Sequence, residues 1–125
     1  MLGEKDAVAN VAVKDLAVAR RFYEETLGLT PVHEQDGEVI VFKSGNSALN
    51  VYRSAYAGTN QATAVTWSVG DEIEEVVAAL KAKGVAFEHY EMPETTMEGD
   101  IHVSGAMKVA WFKDPDGNIL NVFND

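Results

Sequence analysis

One passage occurs twice in this chain. Val13, Lys14 and Asp15 precede Gly28, and Val69, Gly70 and Asp71 precede Gly84 with the same Asp-to-Gly spacing. Phe42, Lys43 and Leu49, Asn50, Val51, Tyr52 then return as Phe112, Lys113 and Leu120, Asn121, Val122, Phe123. Such self-similarity means that one supersecondary unit is used twice, and function is expected between the copies. In the first copy, residues 7–13 predict a strand. Leu16, Ala19, Phe22, Tyr23 and Leu27, three or four apart, predict a helix capped by Asp15 and closed by a left-handed Gly28. Extended segments at 31–35, 38–43 and 48–53 follow, joined by Asp36 with Gly37 and by Gly45 with Asn46, residues that tolerate positive backbone angles.

The second copy repeats the order. Its strand is expected at 62–69 and its helical stripe at Ile73, Val76, Val77 and Leu80, with Asp71 and Glu74 in the spacing of an acidic capping box. Residues 85–90, 108–113 and 119–123 supply the remaining strands, and 91–105 reads as an irregular acidic stretch. The expected fold class is α+β: two tandem βαβββ repeats, 6–53 and 62–125, joined by a linker at 54–61 within one domain spanning 1–125. Each repeat alone would leave a four-stranded sheet covered by a helix on one face and bare on the other, so paired, strongly curved mixed sheets around a shared cavity are expected. Alternation along the strands sends Val65, Trp67 and Val69 toward the helix and turns Ala64, Thr66 and Ser68 inward. The same parity turns Val8, Asn10 and Ala12 inward.

Composition narrows the chemistry. Hydrophobic residues make up 46% and charged residues 24% of the chain, which is globular. The absence of cysteine removes disulfides, thiolate nucleophiles and sulfur-ligated zinc. A formal net charge of -10 argues against nucleic-acid and membrane partners. It serves solubility or draws in a cationic ligand. No long apolar run is present and Glu4, Lys5 and Asp6 stand where a secretory leader would turn apolar, so a cytoplasmic address is expected. There is no Ser, His, Asp order and no Gly-rich phosphate loop.

The run Val13, Asp15, Leu16, Phe22, Tyr23, Leu27, Gly28, Leu29, together with Asp114, Pro115, Asp116, Gly117, Asn118, resembles the glyoxalase, bleomycin-resistance and extradiol-dioxygenase superfamily, the vicinal oxygen chelate proteins. The resemblance covers residues 6–125. It implies a glyoxalase-like fold and a homodimer, and it spans lyases, isomerases, dioxygenases and drug-binding proteins. In the enzymes of that family, a divalent metal is held by His, Glu or Gln from the first and last strands of each copy. Carried onto this chain, those places fall near Val8, Asn50, Ala64 and Asn121: two groups without donor atoms and two neutral amides, a poor set for a transition metal. No metal ligand and no cofactor are therefore expected, and a divalent ion would need substitute ligands such as His102 or Glu91.

Candidate ligand-binding residues follow from parity and the repeat. Asn50 and Asn121 occupy equivalent places and are expected to converge on the cavity, as ligand contacts or as satisfied internal amides. Asn10 and Thr66 turn inward beside them. Tyr52 and Phe123 form apolar walls or ordinary core, and Trp111 offers a stacking face or core packing. His33, His89 and His102 lie on different segments without metal-site spacing; His102, at the end of the acidic stretch, is the best placed. The acidic, methionine-bearing segment 91–107 is expected either to act as a lid over an amphipathic cation or to remain a solvated loop. The leading expectation is a metal-free protein that binds a cationic or amphipathic, drug-like small molecule. The alternatives are a divalent-metal lyase, isomerase or dioxygenase with substitute ligands, and a structural module.

Overall fold

A computed structural model covers residues 1–125, which divide into two compact units, Met1–Thr59 and Asn60–Asp125. Each unit is a mixed β-sheet with one helix, and the fold class is α+β.

The first unit opens with a 3-10 turn at Leu2–Glu4 and continues through β1 (Ala9–Val13), α1 (Leu16–Arg20), β2 (Thr30–Gln35), β3 (Val39–Ser44) and β4 (Ser47–Arg53). Asp15 caps α1, its carboxylate accepting from the N–H groups of Ala17 at 2.8 Å and Val18 at 3.2 Å. The helix then widens. Arg21–Thr26 is a π turn in which Leu27 N–H reaches the Phe22 carbonyl, and Gly28, at φ 79°, lets the chain double back so that Leu29 N–H bonds the Tyr23 carbonyl. The sheet order is β1-β4-β3-β2, with β1 parallel to β4 and the other pairs antiparallel. Asp36 and Gly37 both take positive φ between β2 and β3, as a mirror-image hairpin turn requires. Alternation in β1 and β4 buries Val11, Val13, Leu49 and Val51, which form a core with Tyr23, Ile40 and Phe42. The opposite face carries Asn10, Asn50 and Tyr52.

The second unit comprises β5 (Thr63–Ser68), α2 (Ile73–Ala82), β6 (Phe87–Glu88), β7 (Thr96–Glu98), β8 (Ile101–Ser104), β9 (Met107–Lys113) and β10 (Ile119–Phe123). Its order is β5-β10-β9-β8-β7, and β6 also pairs with β9. The repeat is visible in the ladders, since β5 lies parallel to β10 as β1 lies parallel to β4. Ala110, Phe112, Leu120 and Val122 are buried on one face, and α2, which buries Ile73, Val77 and Leu80, packs against β9. The β9–β10 connection is held by Asp114, which is 4% exposed. Its carboxylate accepts from Asp116 N–H at 3.0 Å, Asn118 N–H at 2.9 Å and the Asn118 side-chain amide at 2.8 Å.

Three expectations are corrected here. The capping box does not form: Gly70 at φ 57° starts a 3-10 turn, Gly70–Glu72, Glu72 takes the cap position of α2 without a side-chain bond, and Glu74 instead meets Lys108 at 2.6 Å. The strand expected at 85–90 shrinks to Phe87–Glu88, paired only with Phe112 and Trp111. The stretch expected to be irregular at 91–105 holds a hairpin, β7 with β8, turned by Gly99 and Asp100; β8 takes the edge of β9 at Lys108 and Val109, beyond the part that β6 uses. His102 is thus part of the sheet, and a free lid over the whole of 91–107 is ruled out by that pairing.

Candidate functional site

The face of the second sheet opposite its buried core is fixed by register. His102 stands across from Val109, Val109 from Phe123, Trp111 from Asn121, and Asn121 from Thr66, so all six side chains share that face. His102 is 1% exposed and Asn121 8% exposed, both unusual for polar residues. Tyr90 N–H donates to His102 Nε2 at 2.9 Å. A backbone N–H can only donate, so Nε2 carries the lone pair and the ring hydrogen sits on Nδ1. That Nδ1–H finds no partner within the chain, and neither does the side-chain oxygen of Asn121. One buried donor and one buried acceptor are therefore left over on the same sheet face.

Aromatic rings surround the histidine. Trp111 meets it edge-on at 4.9 Å between centroids, Tyr90 stacks on it at 6.1 Å and His89 approaches at 6.2 Å. Trp111 is itself oriented, its indole N–H donating to Thr63 Oγ1 at 3.1 Å. His89 is tied to the hairpin by Asp100, whose two carboxylate oxygens take His89 Nε2 at 2.7 Å and Lys81 Nζ at 2.6 Å. The Lys81 hydrogen bond, and after it that of His89, holds the Asp100 carboxyl below the usual carboxylate range. The hairpin, the end of α2 and the segment before β7 are joined at this carboxylate.

The expected site residues fall into two groups, one per unit. In the first, Asn10 and Asn50 are cross-strand partners, and Asn50 Nδ2 donates to Asn10 Oδ1 at 3.3 Å; Tyr52, 38% exposed, lies on the same face. In the second, Thr66 is exposed on β5, while His102, Trp111, Asn121 and Phe123 lie along the face described above. The equivalence of Asn50 and Asn121 thus holds in topology but fails in bonding. Asn50 faces an asparagine across the parallel ladder, and Asn121 faces Thr66. The histidines are also less scattered than expected, since the hairpin brings His102 beside His89, leaving His33 apart on exposed β2. Tyr90 and Asp100 were not anticipated, nor was the approach of His89 to His102; a Gly-Asp pair between two extended runs was the signal for the hairpin that assembles them.

The places expected for metal ligands do not fit a metal. Val8 and Ala64 have no donor atoms, Asn50 is engaged with Asn10, and His102 presents an N–H from Nδ1 while Nε2 is already used. No group of three His, Asp or Glu side chains stands close enough to hold an ion.

A family model described as the Glyoxalase/Bleomycin resistance protein/Dioxygenase superfamily matches residues 6–122. The chain belongs to that superfamily. No curated protein matches it by sequence. Among solved structures, it resembles a lactoylglutathione lyase from Agrobacterium tumefaciens at 20% identity, with TM-score 0.71 and coverage of 94% of this chain and 91% of that one. A bleomycin-binding protein complexed with bleomycin gives 18% identity, TM-score 0.71 and coverage of 97% and 98%. A fosfomycin resistance protein from Listeria monocytogenes gives 14% identity, TM-score 0.72 and coverage of 94% and 90%. At these identities the likeness is one of fold. Superfamily members with that fold include binders and catalysts, so the side chains on the sheet must carry any argument about this one.

Proposed function

We propose that this superfamily member binds a small molecule without a metal ion, on the face of its second sheet that carries His102, Trp111 and Asn121. The observation that carries the reading is the pair of buried, unpartnered polar atoms, His102 Nδ1 and Asn121 Oδ1, flanking an oriented tryptophan. Leaving either atom unpaired costs the folded chain about 1–3 kcal/mol. A ligand that supplies the missing partners recovers that free energy and adds stacking area on Trp111. The net charge of -10 favours a cationic guest through long-range attraction. The proposal extends to a chain working in the cytoplasm with no nucleic-acid or membrane partner.

The test is a thermal-shift panel that sets divalent ions beside cationic aromatic compounds, using protein first dialysed against chelator. An organic compound should raise Tm, and the rise should shrink in Asn121→Leu. A rise produced only by iron, manganese, nickel or zinc would replace this reading with the metal-dependent enzyme.

A further inference from the structure

The two leftover atoms differ in kind, and the difference specifies the ligand. His102 Nδ1 is a donor and Asn121 Oδ1 an acceptor, so a single guest satisfying both must present an acceptor at one end and an N–H at the other. A carboxylate or phosphate would meet Asn121 oxygen with repulsion, and a hydrocarbon would leave both atoms unpaired. The register also sets the length. His102 on β8 and Asn121 on β10 are separated by β9 and offset by two residues, because Val109 stands opposite both His102 and Phe123. Two strand spacings of about 4.8 Å and an offset of about 7 Å put the orphan atoms roughly 8–12 Å apart. Each hydrogen bond spans about 2.9 Å, which leaves roughly 2–6 Å between the two polar atoms of the ligand.

Between those ends lies Trp111, directly across from Asn121 and edge-on to His102. From this arrangement we infer that the ligand is a flat, fused aromatic with a carbonyl acceptor at one end and an amine or ring N–H at the other, the carbonyl facing His102 and the N–H facing Asn121. The inference rests on the binding reading above and deepens it by assigning orientation and chemical class. Tyr90, stacked on His102 and 37% exposed, borders the same histidine.

Three probes separate the contributions: 2-aminofluorenone has both ends, fluorenone lacks the N–H donor, and 2-aminofluorene lacks the carbonyl. Titrated calorimetrically into the full chain, 2-aminofluorenone should bind about tenfold tighter than either truncated compound, one hydrogen bond's worth in each case. In Asn121→Leu the advantage over fluorenone should disappear while that over 2-aminofluorene persists. Trp111→Phe should weaken all three together. Equal affinities for the three probes in the native chain would overturn the inference and leave binding on this face intact, and that comparison needs no variant to fold. Failure of every probe to bind or to alter Trp111 emission would overturn the inference together with the reading beneath it.

Discussion

Replacing Asn121 by leucine should make this protein more stable. Its side-chain oxygen is buried without a partner within the chain, and such an acceptor costs about 1–3 kcal/mol. Leucine keeps the same heavy-atom branching and removes that penalty, while its greater bulk and the loss of whatever the amide nitrogen contributes offset about 1 kcal/mol. The net expectation is a gain of up to about 2 kcal/mol, with a rise in Tm of about 3–6 °C for each kcal/mol in a chain of this size. Asn50→Leu, at the equivalent place in the first repeat, should do the reverse. It deletes the 3.3 Å bond to Asn10, whose exposed amide can turn to water, so a loss of up to about 1 kcal/mol is expected. Urea unfolding of the two variants beside the parent measures the contrast, with unchanged m-values showing that only stability has moved. If Asn121→Leu is destabilised as much as Asn50→Leu, the Asn121 amide is an ordinary satisfied core group, and the site has lost half its basis. If it is stabilised but still binds ligand as the parent does, the assignment of that oxygen to ligand is wrong.

Two further outcomes follow from the same geometry. Asp114→Ala removes a buried carboxylate that holds three N–H donors in the β9–β10 turn and should lower stability by about 2–4 kcal/mol in urea unfolding; a loss below about 0.5 kcal/mol would show that the turn holds itself. Acid should weaken the second unit first. The carboxyls of Asp100 and Glu74 lie below their usual values, held down by Lys81 and His89 and by Lys108, so their stabilisation is present above the unfolded value near about pH 4 and is lost as pH falls through the lower folded value. Lys108 is raised by Glu74, so its contribution holds below about pH 10 and fades as pH climbs through the higher folded value. Lys81→Met and Lys108→Met should each flatten the acid limb of a Tm-against-pH curve, and a limb unchanged in both would contradict the assignment.

Much of the fold was legible because its signals are local. Asp15, Gly28, Asp36 and Gly37 act within a few residues, and strand alternation reports which side chains are buried. The repeat supplied the long-range part, since equivalent tetrads around Asn50 and Asn121 had to occupy equivalent strands. What was missed either carries a weak local signal or depends on neighbours distant in sequence. β7 is exposed along its whole length, so it carries no alternation that would mark it as a strand. Gly70 diverts the chain into a 3-10 turn that breaks the capping geometry although the spacing of Asp71 and Glu74 is right. The site shows the same limit. Whether an asparagine is satisfied turns on the residue across the ladder, Asn10 in one repeat and Thr66 in the other, and that difference separates an ordinary amide pair from an orphaned acceptor. The leftover nitrogen of His102 required the fold of Tyr90 onto the hairpin, which no periodicity reports.

The account depends on His102 holding its hydrogen on Nδ1 and offering it to a guest. Nitrogen-15 spectra of histidine-labelled protein, recorded before and after addition of 2-aminofluorenone, report the two ring nitrogens separately. A protonated Nδ1 that shifts on ligand addition, beside an Nε2 that stays bonded to Tyr90, is the predicted result. A hydrogen found on Nε2, or an Nδ1 resonance indifferent to every ligand that binds, would contradict it.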